Sequence, residues 1–173
     1  MEGRLLDVGC GFGYLVKLLA ERNRGQEIYA VDVDPEKLRV AKARLENFKN
    51  VKWGVPKSQV NVITVIDVLY LMTDAKKIKL LEKLFKKLKR GGKLFVATVP
   101  KEKSWGYYSA WLQEWLMVKV LGKTKSKESI INFETENWLR QKLRQLRFMR
   151  VRRYKLPRTL FFWHKHVVCV ATK

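Results

Sequence analysis

The chain predicts an α/β fold, a doubly wound sheet with helices on both faces and an antiparallel hairpin at its carboxyl end. Three observations predict it. A short apolar strand runs into a glycine-rich turn and then a helix over residues 4–20. A second apolar strand ends in an acid, Asp32, nineteen residues past Gly13. Strand-like and helix-like patterns then alternate to the end, with no internal repeat or low-complexity tract.

Each element has its own local cause. Leu5, Leu6 and Val8 suit a buried parallel strand, and Gly9, Gly11 and Gly13 let the turn lie close to a ligand. Tyr14 to Ala20 has helix spacing, so the turn delivers a helix N-terminus whose free amides favour an anionic group. The spacing is G-x-G-x-G; a dinucleotide fingerprint would need a glycine at position 14, where Tyr14 stands. Ile28 to Val31 reads as the second strand. Asp34 and Pro35 read as N-cap and first residue of a helix reaching Ala43 or beyond. Asp32 is left at the strand's carboxyl end, where a carboxylate accepts both hydroxyls of a ribose.

Ala75 to Arg90 predicts an amphipathic helix stopped by Gly91-Gly92. Ile78, Leu81, Leu84, Phe85 and Leu88 form its stripe, and Lys77, Lys79, Lys83, Lys86, Lys87 and Lys89 fill a solvated or phosphate-binding remainder. Trp105 to Leu121 is apolar around most of a helical circumference, so burying it needs cover on more than one side. Three readings stay open for it: a lid on an apolar substrate pocket, a surface dipping into lipid, or a core or dimer-interface helix. Lys119 to Lys127 reads as a basic loop, and Glu136 to Arg147 as a helix with Trp138, Leu139, Leu143 and Leu146 inward. Phe148 to Leu156 and His166 to Thr172 complete the sheet as a hairpin, the first strand edge-like and ended by Pro157.

The length suits a single domain over residues 1–173, divided into a cofactor-binding half (1–100), a substrate-lid insertion (101–130) and a C-terminal helix and hairpin (131–173). Cys10 and Cys169 are the only cysteines, too few for a disulfide framework or zinc site, which suits a reducing cytosol. With charges at Glu2, Arg4 and Asp7, residues 1–20 do not resemble a signal peptide and none is expected, and no 18-residue stretch is free of polar side chains. A cytoplasmic protein is the expected setting, with a peripheral place at the membrane left open. Net charge is +21, distributed as +1 over residues 1–50, +8 over 51–98 and +12 over 99–173. That imbalance fits attraction to RNA, an acidic membrane surface or a phosphorylated substrate, and equally a uniformly solvated basic surface.

The chain resembles the class I S-adenosylmethionine-dependent methyltransferases. Leu6-Asp7-Val8-Gly9-Cys10-Gly11-Phe12-Gly13 resembles the family's first motif and Val31-Asp32-Val33-Asp34-Pro35-Glu36 its second. Val62 to Leu69 resembles the fourth strand and its exit, and Leu88 to Val96 the helix stop and fifth strand. The resemblance implies a mostly parallel seven-stranded sheet and S-adenosylmethionine as cofactor. It implies that the backbone of Gly9, Cys10, Gly11 and Gly13 holds the methionine part, with Asp7 supporting the loop. Asp32 would take the ribose, Val33 would lie against adenine, and Asp67 near the transferable methyl. Three departures stand out. Val51-Lys52-Trp53-Gly54-Val55-Pro56 lacks the acid that receives the adenine amino group, and Tyr70-Leu71 replaces the Glu-His of many small-molecule members. The family's helix before the first strand has no counterpart in these residues, so the pocket is expected to be more open or covered by something outside this chain.

Methyl transfer requires mainly a nucleophile held in line with the sulfonium carbon, and a base only where the acceptor loses a proton. Asp67, Tyr70 and His166 are the principal candidates for catalytic roles, with Tyr107 and His164 behind them. His164 and His166 have same-face strand spacing, but no third ligand is in view and no metal site is expected. The expected acceptor is a small or lipid-like molecule with an apolar part, received under the Trp-rich segment, which would also serve a homodimer. The competing readings are an RNA methyltransferase and a cofactor-binding partner subunit without catalysis.

Overall fold

Leu5 and Leu6 are neighbours on one strand, and the pleat sends them into two different cores. A computed structural model describes residues 3–101, 105–116, 131–155 and 166–173. In chain order the elements are β1 (Arg4–Val8), α1 (Tyr14–Arg22), β2 (Glu27–Val31), α2 (Pro35–Arg44), β3 (Val51–Trp53) and β4 (Val60–Ile66). There follow α3 (Asp74–Lys87), β5 (Leu88–Thr98), α4 (Trp105–Trp115), α5 (Glu136–Gln145), β6 (Arg150–Lys155) and β7 (Val167–Thr172).

The seven strands make one sheet in the order β3-β2-β1-β4-β5-β7-β6, parallel except for β7, which runs antiparallel to both its neighbours. This is the mostly parallel sheet and antiparallel carboxyl end that the sequence predicts. Leu5, Ile28 and Ala30 pack with Val16 and Ala20 of α1 and with Leu45 at the end of α2. On the other face Leu6, Ile63, Val65, Leu94 and Val96 meet Leu81 and Leu84 of α3 and Leu139 and Leu143 of α5. The order reverses beside β1, the switch point at which sheets of this kind bind ligands in a crevice at the strands' carboxyl ends.

Asp34 caps α2 as expected, its carboxylate accepting the amides of Glu36 (3.0 Å) and Lys37 (3.4 Å), with Pro35 in the first turn. Thr135 caps α5 in the same way, accepting from Trp138 N–H. β6 is an edge strand, and exposed Arg150, Arg152, Arg153 and Lys155 along it discourage pairing with another chain. Part of the positive charge thus has a structural use. Pro157, His164 and the Lys119–Lys127 loop lie outside the described residues.

Two expectations about the lysine-rich helix are corrected. It ends at Lys87 rather than at Gly91-Gly92, because Leu88 pairs with Val60 of β4 and begins β5. The glycines instead close a bulge against the last residue: Gly91 N–H donates to Lys173 C=O (2.8 Å) and Lys173 N–H to Gly92 C=O (3.0 Å). Lys77 is also not solvated. It lies on the stripe with Leu81, Leu84 and Leu88, fully buried, and its ammonium meets Asn132 C=O (2.6 Å), Glu134 Oε2 (3.0 Å) and Asp74 Oδ1 (3.4 Å). Burial of a lysine is tolerated where charge and hydrogen-bond partners replace water, as they do here.

The third correction concerns α4. Its apolar circumference suggested a need for cover, yet the outward half is bare: Trp105 is 91% exposed, and Tyr108, Trp111, Leu112, Trp115 and Leu116 are all exposed. The helix therefore does not belong to the core. Tyr107 anchors it: its ring meets Phe133 edge-on at 5.7 Å, and Phe133 stacks on Tyr70 at 4.9 Å.

Candidate active site

The turn after β1 is built around three glycines with left-handed φ values, and each has a different reason to lack a side chain. A Cβ on Gly9 (φ 79°) would come within 2.2 Å of Val68 Cγ2, just past β4. A Cβ on Gly13 (φ 78°) would press on Leu45 and Ala41 of the α2 region at 2.9 and 3.1 Å. Gly11 (φ 53°) has no atom within 4 Å of that position. Two glycines let neighbouring elements close in, and the third faces open space.

Asp32 joins this turn to β2. Its Oδ2 accepts Gly11 N–H at 2.7 Å and its Oδ1 accepts Asp34 N–H at 2.8 Å. The Gly9 and Cys10 amides both reach Val31 C=O, at 2.8 and 3.0 Å, so the loop is held rigidly at the end of the strand pair. Arg44 braces it from outside, donating to Phe12 C=O with its guanidinium 3.9 Å from the Tyr14 ring centroid. Each Asp32 oxygen retains acceptor capacity beyond its one amide, which suits a pair of ribose hydroxyls. Val33 and Val55, at the exits of β2 and β3, are both exposed and offer bare apolar surface at the crevice rim. A carboxylate acceptor, an open glycine face and exposed valines fit a nucleoside cofactor with an apolar ring.

Asp7 lies beneath the turn, almost wholly buried, and accepts a 2.6 Å hydrogen bond from the Thr64 hydroxyl. Burial pushes its carboxyl up to about 6 against the relief given by Thr64, with the nearby Asp32 charge adding to the rise. Cys10 is likewise buried; loss of solvation, then the charges of Asp7 and Asp32, push its thiol up to about 12. It stays a thiol at neutral pH and serves as a small loop residue rather than a nucleophile.

Across the crevice, Asp67 leaves β4 in a left-handed conformation (φ 51°), uncommon for a residue other than glycine, with its N–H donating to Ala97 C=O at 3.0 Å. His166 stands immediately before β7. The pairings Ile66–Ala97 and Thr98–Val167 bring these positions together across ninety-nine residues of sequence, and His166 Nε2 lies 3.2 Å from Asp67 Oδ2. The imidazole is largely covered and the carboxylate half-exposed. Tyr70 and Tyr107 go elsewhere, into an aromatic cluster with Phe133 and Val99.

Sequence reading missed the supports: the Thr64 partner of Asp7, Val68 against Gly9, and the Lys77 cluster. Lys77, Asn132 and Glu134 tie the loop after β4 to the segment before α5, since Asn132 N–H also donates to Tyr70 C=O and Lys101 N–H to Glu134 C=O. A lysine at a stripe position, four residues before Leu81, is the signal that was available. Among the described residues, no group of three or more His, Cys, Asp and Glu is placed to hold a metal. No described helix is long and apolar enough to cross a membrane.

Comparison with known proteins agrees with this geometry. The family described as "Methyltransferase domain" matches residues 1–150. A ubiquinone biosynthesis O-methyltransferase from Idiomarina loihiensis is 32% identical over 113 residues, 59% of this chain and 45% of the relative. The match thus spans less than half of that relative's length. An S-adenosylmethionine-dependent methyltransferase from Methanosarcina mazei superposes with TM-score 0.72 at 21% identity, covering 99% of this chain and 92% of that one. The N-methyltransferase NodS from Bradyrhizobium japonicum, solved with S-adenosyl-L-homocysteine, gives 0.69 at 14% identity, covering 98% and 77%. By the glycine turn, the strand order and the family match, the chain belongs to the methyltransferase-domain family of class I, S-adenosylmethionine-dependent methyltransferases.

Proposed function

We propose that this chain methylates a hydroxyl oxygen on an acceptor with an apolar part, using His166 and Asp67 to take the acceptor's proton. The single observation that carries the reading is the 3.2 Å His166–Asp67 contact beside the exit of β4. An amine acceptor attacks through its own lone pair, whereas a neutral hydroxyl is a poor nucleophile until its proton leaves. A histidine held by a carboxylate is suited to that task near neutral pH, and the carboxylate stabilises the imidazolium that forms. The O-methyltransferase name of the Idiomarina relative supports the same atom, and its role in ubiquinone biosynthesis an apolar acceptor.

Bound S-adenosylmethionine would supply an electrophilic methyl on a sulfonium; the protein's work is placement. Asp32 and the turn would hold the donor, and the pair of Asp67 and His166 would receive the proton. Transfer to the acceptor oxygen would break the donor's sulfur–carbon bond and leave a neutral thioether, the acceptor's proton passing to the His166–Asp67 pair. The test is transfer of labelled methyl to prenylated phenols or catechols, alkylamines and bulk RNA offered separately. Label on the phenolic or catechol oxygen, with kcat reduced at least about tenfold in His166→Gln and its pH dependence flattened, supports the reading. Label in RNA or on amines alone overturns it.

A further inference from the structure

The outward face of α4 is an apolar feature that the proposed chemistry leaves unexplained. At 100° per residue, Trp105, Tyr108, Trp111, Leu112, Trp115 and Leu116 fall within an arc of about 140°. All six are exposed, and the arc contains no charged residue. The excursion that carries this helix leaves the body at Lys101 and returns by Glu134, where Lys101 N–H donates to Glu134 C=O at 2.9 Å. Lys77 locks that base from inside. The helix is therefore mounted on a rigid foot, with Tyr107 turned toward the Tyr70–Phe133 cluster and the opposite side bare.

We infer that α4 is a docking helix for an anionic lipid bilayer, lying flat in the interface beside the mouth of the crevice. Four of the six exposed side chains are Trp or Tyr, the residues that settle at a membrane–water boundary, and the two leucines reach deeper. Eleven residues rise only about 16 Å, half the hydrocarbon thickness, so the helix lies on the membrane rather than spanning it. Charge complementarity selects the lipid: the chain carries +21 overall and +12 in the half that bears α4. A surface needs both signals, apolar burial and attraction to acidic headgroups, to hold a protein stably. The inference deepens the proposed function by naming where an apolar acceptor would be met, and rests on that reading only for its purpose.

The experiment separates the two. Full-length protein is floated with vesicles of phosphatidylcholine alone and of phosphatidylcholine with phosphatidylglycerol. Tryptophan quenching by brominated acyl chains is read on the same samples. The variant Leu112→Ser/Leu116→Ser keeps every tryptophan and touches no residue of the candidate active site. Expected are flotation with the anionic vesicles, weakening as salt rises, acyl-chain quenching, and at least a tenfold drop in bound fraction for the double variant. Its methyl transfer to a short, water-soluble phenol is expected to be unchanged. Absence of flotation, binding indifferent to the double variant, or a lipid-free dimer that shields α4 from aqueous quenchers would each overturn the inference. A failed acceptor panel with positive flotation would instead sink the proposed function alone.

Discussion

Asp7 provides a stability test whose sign follows from its burial. Its carboxyl titrates near 3.8 in an unfolded chain and at about 6 in the fold, chiefly because burial penalises the charged form. A folded-state pKa above the unfolded value means stability is fully present below pH 3.8 and is lost as pH rises through 6. A rise of roughly two units at 1.36 kcal/mol each amounts to about 3 kcal/mol by pH 7. Asp7→Asn removes the titration while its side-chain carbonyl can still accept from Thr64 Oγ1. The new amide group carries its own cost in a buried site, but that cost does not vary with pH. The diagnostic quantity is therefore the difference between variant and wild type, in which other titrating groups cancel. Urea unfolding at half-unit steps from pH 4 to 8 should show that difference moving in the variant's favour by about 2.5 kcal/mol, equivalent to about 5–10 °C in Tm. A difference that stays flat across the range would refute the account of Asp7.

Other perturbations test other parts of the fold. Gly9→Ala should destabilise by about 2 kcal/mol or more, since it combines an unfavourable φ with a 2.2 Å clash, and Val68→Ala in the same chain should recover part of the loss by thermal unfolding. Gly11→Ala, with open space at its Cβ, should cost only about 1 kcal/mol of stability yet weaken cofactor binding in a calorimetric titration. Lys77→Ala leaves Glu134 buried without its cation and should cost about 3–5 kcal/mol in urea unfolding; a loss under 1 kcal/mol would mean the cluster is not holding the base of the α4 excursion.

The first hundred residues were the most legible part of the chain, because the signals there are local. A strand, a turn that demands left-handed φ, and an N-cap followed by proline each declare themselves within a few residues. Leu88 was harder. Its helix-like spacing from Leu84 and Leu81 is real, but pairing with Val60, twenty-eight residues back, pulls it into β5. Lys77 shows the same limit: composition marks it as solvated, and only Asn132 and Glu134, more than fifty residues on, explain why it is not. Asp67 and His166 were each singled out for their type and position. Their meeting depends on the β4-β5-β7 order, which no local pattern encodes. The apolar character of 105–116 was plain, whereas its exposure had to be seen in the fold.

Asp32 and the glycine turn are already joined by the Gly11 amide, and the proposed function requires that they hold the nucleoside of the methyl donor. Calorimetric titration of S-adenosyl-L-homocysteine into wild type and Asp32→Ala tests it most directly, with unfolding midpoints confirming that both are folded. Loss of two charge-assisted hydrogen bonds to ribose predicts saturable binding to wild type and weakening of about 100-fold or more in the variant. No binding to the wild type, or equal affinity in a folded variant, would contradict it.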